Sequence, residues 1–324
     1  MNGADYNRGA MQDVSADWVK DDLGERFVKA TLHFPDDYDG TVTATVVRNR
    51  ERVSQPRGAV LYLHGFLDYF FQSHVADAFV AAGYDFYALD LRKYGRSMGS
   101  AEHPNFCKAL EEYFPEMTAA IDIITRVEGH ATVVLMAHST GALPGLLYAQ
   151  VGDRRASLTR MILNSPFLEM PKGSALGHVA AFIGWLNPFG PIRNPVNRWY
   201  GQSIHADYKG EWRFNTTWKP VERSVAYYGW VRAVVLVQDR IKKGLNLEVP
   251  ILVLHSDRSL KGDSWSDRFH HADLVLDVEH IKQLAPRLGS RVLVKEIPGG
   301  KHDLTLSRQE PREQCLRTML EWLQ

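Results

Sequence analysis

The chain has 324 residues, 45% apolar and 23% charged, enough to bury a large α/β core and still carry an insertion. Lys+Arg and Asp+Glu are equal at 38 each, so no global field recruits nucleic acid or an anionic membrane surface. No stretch approaches the roughly 20 consecutive apolar residues of a membrane span, and residues 1–24 lack the apolar run of a secretory signal.

After the polar arm at 1–24, β-branched and apolar alternation at 27–34 and 41–48 flanks the turn-rich Pro-Asp-Asp-Tyr-Asp-Gly. This spacing predicts an antiparallel hairpin. Residues 59–63, Ala-Val-Leu-Tyr-Leu, read as a strand buried on both faces. Helical spacing covers 74–82, a strand 84–89, a helix 105–127 and a strand 131–137. A helix at 139–150 and a strand at 160–163 follow. Strand alternating with helix predicts a parallel sheet with right-handed crossovers.

From 169 to 245 the rhythm breaks into a block rich in Trp, Phe, Tyr, Pro and Gly, with helical spacing only at its end, 221–243. Alternation resumes with a strand at 250–255, a helix at 278–288, a strand at 291–297 and a final helix at 311–323. The middle block therefore reads as a cap inserted into a core made of 25–168 and 246–324. Its rings are expected either to line an apolar pocket or to form the cap's own core.

Ala137-His138-Ser139-Thr140-Gly141 joins an apolar strand to a helix. A nucleophile on such a sharp turn needs small neighbours, and the helix start directs N–H groups at developing negative charge. Ser139 is the candidate nucleophile and the Thr140 N–H a candidate oxyanion donor. The loop after the first parallel strand, His64-Gly65-Phe66-Leu67-Asp68, supplies the second donor, the Phe66 N–H. His64 is read as holding that loop, not as a base or metal ligand, since it precedes the nucleophile at the mouth of a different strand.

A nucleophilic serine needs a base, and the base an orienting acid, in the chain order Ser, acid, His. Gly299-Gly300-Lys301-His302-Asp303 follows a strand and precedes the last helix, which makes His302 the base. His255, His270, His271 and His280 fit this place less well. The acid is sought after the strand at 250–255, in an unusually long loop offering Asp257, Asp263, Asp267, Asp273 and Asp277. Asp273, just ahead of the helix at 278, is favoured; Asp257, nearest the strand, is second and Asp277 third. The remaining aspartates are solvated or helix-capping residues.

With His64-Gly65-Phe66, Ala137–Gly141, Ala272–Asp277 and Gly299–Asp303 in this order, the chain resembles the α/β-hydrolase superfamily. Within it, the chain is most similar to the monoacylglycerol lipase, lysophospholipase and serine-aminopeptidase-like branch, over roughly 57–164 and 249–324. The resemblance implies a mostly parallel eight-stranded sheet flanked by helices, with the middle block as the family's cap or lid. The family's Ala-Asp-x-x-x-Asp segment falls on 272–277 and supports Asp273. Its Asp-x-Arg-Gly-x-Gly-x-Ser loop falls on 90–97, with Lys93 in place of Gly.

The function expected is hydrolysis of a small-molecule carboxylic ester with an apolar acyl or aryl group, of medium acyl, monoglyceride or lysophospholipid type. It would proceed through an acyl-enzyme, without cofactor or metal. Amide or peptide cleavage by the same triad, or a non-catalytic ligand-binding role on this fold, are the alternatives. Cys107 and Cys315, far apart and outside any metal-ligand spacing, argue against a disulfide framework and fit the reducing cytoplasm.

Overall fold

In the computed structural model, which describes residues 16–170, 174–193 and 196–324, the short strand β1 (Val19–Asp21) borders β2 (Gly24–Asp37). β2 turns through Tyr38 and Asp39 into β3 (Gly40–Asn49). The described end of the polar arm thus supplies the outermost strand of the sheet, while residues 1–15 lie outside the described residues. Next come β4 (Gly58–Leu63), helix α1 (Ser73–Ala81), β5 (Tyr84–Asp90), α2 (Phe114–Asp122), β6 (Val133–His138), α3 (Ala142–Val151) and β7 (Leu158–Asn164). The chain then leaves the sheet.

Beyond β7 lie α4 (Ser174–Leu186), a two-stranded ribbon of β8 (Pro191–Arg193) and β9 (Val225–Tyr227) with α5 (Arg198–Ile204) between its strands, and α6 (Tyr228–Lys243). The sheet resumes with β10 (Ile251–Ser256), α7 (Val278–Leu284), β11 (Val292–Ile297) and α8 (Gln309–Trp322). Strand order is β1-β2-β3-β5-β4-β6-β7-β10-β11. Every pair from β5 to β11 is parallel, and the hairpin joins β5 antiparallel. This is the expected α/β-hydrolase sheet with β1 added as a short ninth strand.

Parallel strands covered on both sides must be apolar at successive positions. Ala59, Leu61 and Leu63 of β4 and Val133, Leu135 and Ala137 of β6 share one cluster with residues of α2, α3 and α6. Val60, Tyr62, Val134 and Met136 share the opposite one with α1 and α8. Helix α6 thus buries Val234, Val237 and Ile241 in the core's own cluster, although it closes the inserted block. Many of the block's other rings (Trp199, Trp212, Phe214, Trp218) pack with Tyr69 and Phe71 of the core, welding insertion to core.

Two predicted helices are shorter than their spacing suggested. The one read from 105 begins as a single turn at Leu110, because Asn105 takes a left-handed φ of 62° and its side chain donates to the Lys93 carbonyl. The helical spacing read from 221 yields helix only from Tyr228, since 225–227 pair as β9 in the ribbon. Among the described residues no helix is long and apolar enough to cross a membrane.

Candidate active site

Ser139 stands at the C-terminal end of β6, where the chain turns through a single helical turn into α3. Its φ is 51°, a conformation that costs a non-glycine residue of order 1–3 kcal/mol and persists only where the surroundings enforce it. They do so here. A Cβ at Gly141 would run into the His64 backbone carbonyl, and one at Gly65 would sit 3.1 Å from both the His138 ring and the Ser139 Cβ. Small residues at 65 and 141 are thus what let β4, β6 and the turn meet.

His302 Nε2 lies 2.9 Å from Ser139 Oγ, and its Nδ1 lies 2.9 Å from Asp273 Oδ2. A carboxylate accepts only, so Nδ1 carries the proton and Nε2 is left to accept from the serine hydroxyl. Asp273 Oδ1 accepts from the Val275 and Leu276 amides at 2.7 and 2.8 Å, fixing the carboxylate. All three residues are buried, Asp273 fully. The long loop before Asp273 closes on itself: Leu260 N–H donates to the Asp273 carbonyl and Asp273 N–H to the Arg258 carbonyl. The excursion therefore returns the chain to the end of β10 and brings Asp273 beside His302.

The other candidate acids are engaged elsewhere. Asp257 pairs with Arg258 and accepts from Gly299 N–H; burial opposes ionisation, but these partners hold its carboxyl below the usual range. Asp277 caps α7 by accepting from Glu279 N–H. Among the rival histidines, His255 directs Nδ1 at the Ser256 carbonyl, and burial with neighbouring cations pushes His270 down to about 4. His64 accepts from Leu91 N–H at Nε2 and donates from Nδ1 to the Gly65 carbonyl, so it ties the loop after β4 to the end of β5. In that loop the Phe66 ring stacks on Trp230 of α6 at 4.0 Å, and Leu67 has a φ of 52°. Phe66 and Leu67 line one cavity with Tyr200 and Lys219. Thr140 and Gly65 line a second, with Leu110, Tyr113 and Trp230.

Several residues around the triad carried no local sequence signal. Asp303, buried beside His302, accepts from Asn164 Nδ2, Gln72 Nε2 and both donors of Thr305. Burial raises its carboxyl, but His138, Lys219 and these hydrogen bonds bring it down to about 2. Tyr200 of α5 sets its ring edge-on to His302, centroids 5.4 Å apart. Lys301 Nζ donates to the Ser203 carbonyl near the end of α5. Lys219 Nζ donates to Asp68 Oδ1 at 2.8 Å. Only Lys301 and Asp303, the two neighbours of the predicted base, could have been singled out by position.

Among the described residues, two groups of side chains approach metal-ligand spacing, Asp68–His138–Asp303 and Asp39–Glu102–His103. In each a lysine ammonium already sits on a carboxylate, Lys219 on Asp68 and Lys93 on Asp39. Neither set fits a metal centre.

The monoacylglycerol lipase of Mycolicibacterium smegmatis is 27% identical over 260 residues, covering 78% of this chain and 83% of that protein. A probable lysophospholipase L2 of Haemophilus influenzae is 23% identical over 266 residues, 78% of each. Among solved structures, a soluble variant of monoglyceride lipase from Saccharomyces cerevisiae, bound to a substrate analog, superposes with a TM-score of 0.66. It shares 16% identity, covers 91% of this chain and is itself 96% covered, a likeness of fold. Residues 54–309 match the profile of the serine aminopeptidase, S33 family, and the chain belongs to that family of α/β-hydrolases.

Proposed function

We propose that the protein is a serine hydrolase that cleaves small carboxylic esters through an acyl-enzyme on Ser139. The observation that carries this reading is the buried Ser139–His302–Asp273 chain of 2.9 Å contacts, drawn from three separate loops. His302 Nε2 takes the serine proton as Oγ attacks the ester carbonyl. The Phe66 and Thr140 N–H groups receive the oxyanion, and Asp273 steadies the imidazolium. His302 then protonates the departing alcohol. Water, deprotonated by the same imidazole, releases the acid.

The apolar and aromatic side chains beside Thr140 (Leu110, Tyr113 and Trp230) support an acyl or aryl substituent on that side. The relatives' names support a medium acyl, monoglyceride or lysophospholipid substrate. The family's description brings amide cleavage forward as a second reading. An aminoacyl substrate carries a free ammonium, and the cavity beside Phe66 and Tyr200 is lined by both Lys219 and Glu222, with the Lys219 charge taken up by Asp68. The buried, unpaired Cys107 and Cys315 suit a reducing cytoplasmic setting. A panel of p-nitrophenyl esters, monoglycerides, lysophospholipids and aminoacyl amides, run against wild type and Ser139→Ala, tests the reading. Ester turnover that survives Ser139→Ala at the wild-type rate overturns it.

A further inference from the structure

The segment Phe66-Leu67-Asp68 is a short loop with an improbable backbone. Leu67 sits in the left-handed region at φ 52°, where a γ-branched side chain stays only if its neighbours leave it no choice. Both neighbours in sequence are held by the block inserted between β7 and β10. On one side the Phe66 ring stacks on Trp230. On the other, Asp68, 1% exposed, receives the Lys219 ammonium.

The second contact is a buried ion pair. Lys219 is itself buried, 6% exposed, and reaches Asp68 through a ring of aromatics, with Phe71, Tyr200 and Phe214 5.8–5.9 Å from its Nζ. The other oxygen of Asp68 is buried and has no hydrogen-bond partner. Across from it stand His138 and Asp303, each with an atom within 4.8 Å; Asp303 is a carboxylate and offers no compensation. Lys219 is therefore the cation on which the burial of Asp68 depends. Without it, an uncompensated charge would be left in a low-dielectric site, a strong force to rearrange the loop.

We propose that Lys219 is a positioning residue: through Asp68 it holds Phe66 and Leu67 in the conformation that aims the Phe66 N–H at the reacting carbonyl. The oxyanion hole is then complete only while the inserted block lies on the core. Closing the block over the site and arming the hole become one event. This inference rests on the reading of Phe66 as an oxyanion donor in a Ser139 hydrolase.

The test uses the full chain and one p-nitrophenyl ester series. Lys219→Met keeps the stem and removes the charge, Asp68→Asn removes its partner, and the double variant removes both. Losing one oriented donor lowers kcat by about 100- to 1000-fold, with KM within about threefold because the lost contact belongs to the transition state. Lys219→Arg restores kcat to within a few-fold of wild type. The double variant is less impaired than either single, since neither charge is left alone. That coupling also reads the proposal should one single variant fold poorly.

Wild-type kcat in Lys219→Met overturns the proposal. So does a rise in KM at constant kcat, which would make Lys219 a substrate-binding residue, and so do additive losses in the double variant. Ser139→Ala in the same assay separates the two levels. If it is inert while Lys219→Met is unaffected, only the positioning role falls. If it retains turnover, the serine-hydrolase reading falls first.

Discussion

Core and insertion contribute to the site in different ways. From the core come Ser139, Phe66, Asp273 and His302, each in the loop after a sheet strand, β6, β4, β10 and β11. Their alignment follows from strand registry and from backbone packing so close that Gly141 admits no side chain. From the insertion come Tyr200, Lys219 and Trp230, which reach the site as single long side chains. The core's largest rings, such as Phe79, Phe86 and Tyr87, are buried. The insertion also turns rings outward: on α4, Phe182 is 60% and Trp185 65% exposed. Chemistry placed at strand ends inherits the sheet's rigidity, whereas the insertion's contacts hold only while its side chains pack on the core.

The largest expected effect tests the core side. Ser139→Ala should lower kcat for ester hydrolysis by at least about 10⁴-fold with the fold intact, because removing the attacking atom abolishes the acyl-enzyme route. Steady-state kinetics with circular dichroism would check both halves. Asp273→Asn should lower kcat by about 10³–10⁴-fold through loss of the correct imidazole tautomer. Asp257→Asn and Asp277→Asn should stay within about twofold in the same assay, since their carboxylates serve Arg258 and the start of α7. A large kcat loss in Asp257→Asn would blur the distinction between site and scaffold on the core.

On the insertion side, Trp230→Ala removes a buried ring that packs both into the core and on Phe66. It should cost about 3–5 kcal/mol in denaturant unfolding and lower kcat more than KM. A variant that loses stability but keeps kcat would show that the stacking holds α6 alone and leaves the loop alone.

The smallest expected effect is in pH dependence. His270 is held neutral down to about 4, against an ordinary 6.5. As pH falls through 6.5 the unfolded chain binds the proton first, so stability declines between pH 6.5 and 4. Lys301, pushed down to about 7 by burial, acts in the opposite range. The unfolded chain keeps its proton up to about 10.5 and the folded one does not, so stability climbs from pH 7 upward. Thermal unfolding across pH 4–10 should show both slopes. His270→Gln should flatten the acid limb and Lys301→Met the alkaline one.

Much of this was legible in the amino-acid order. Periodicity, strand-to-helix context and chain order located Ser139, His302 and the loop at 64–68, and helix proximity singled out Asp273 from five aspartates. These signals are local: a sharp turn needs small residues beside it, a buried parallel strand needs an unbroken apolar run, and both are written within a few positions. What only the tertiary structure decided lies between segments far apart in sequence. The return of Asp273 depends on two backbone hydrogen bonds that close a looped-out excursion. The pairing of Asp68 with Lys219 spans 151 positions, and the stacking of Phe66 on Trp230 joins the same two regions. A single lysine between Trp218 and Pro220 has no periodicity and no motif. Its meaning arises when folding buries it against a carboxylate that needs a cation, because the energy of a buried charge belongs to its surroundings and not to its neighbours in the chain.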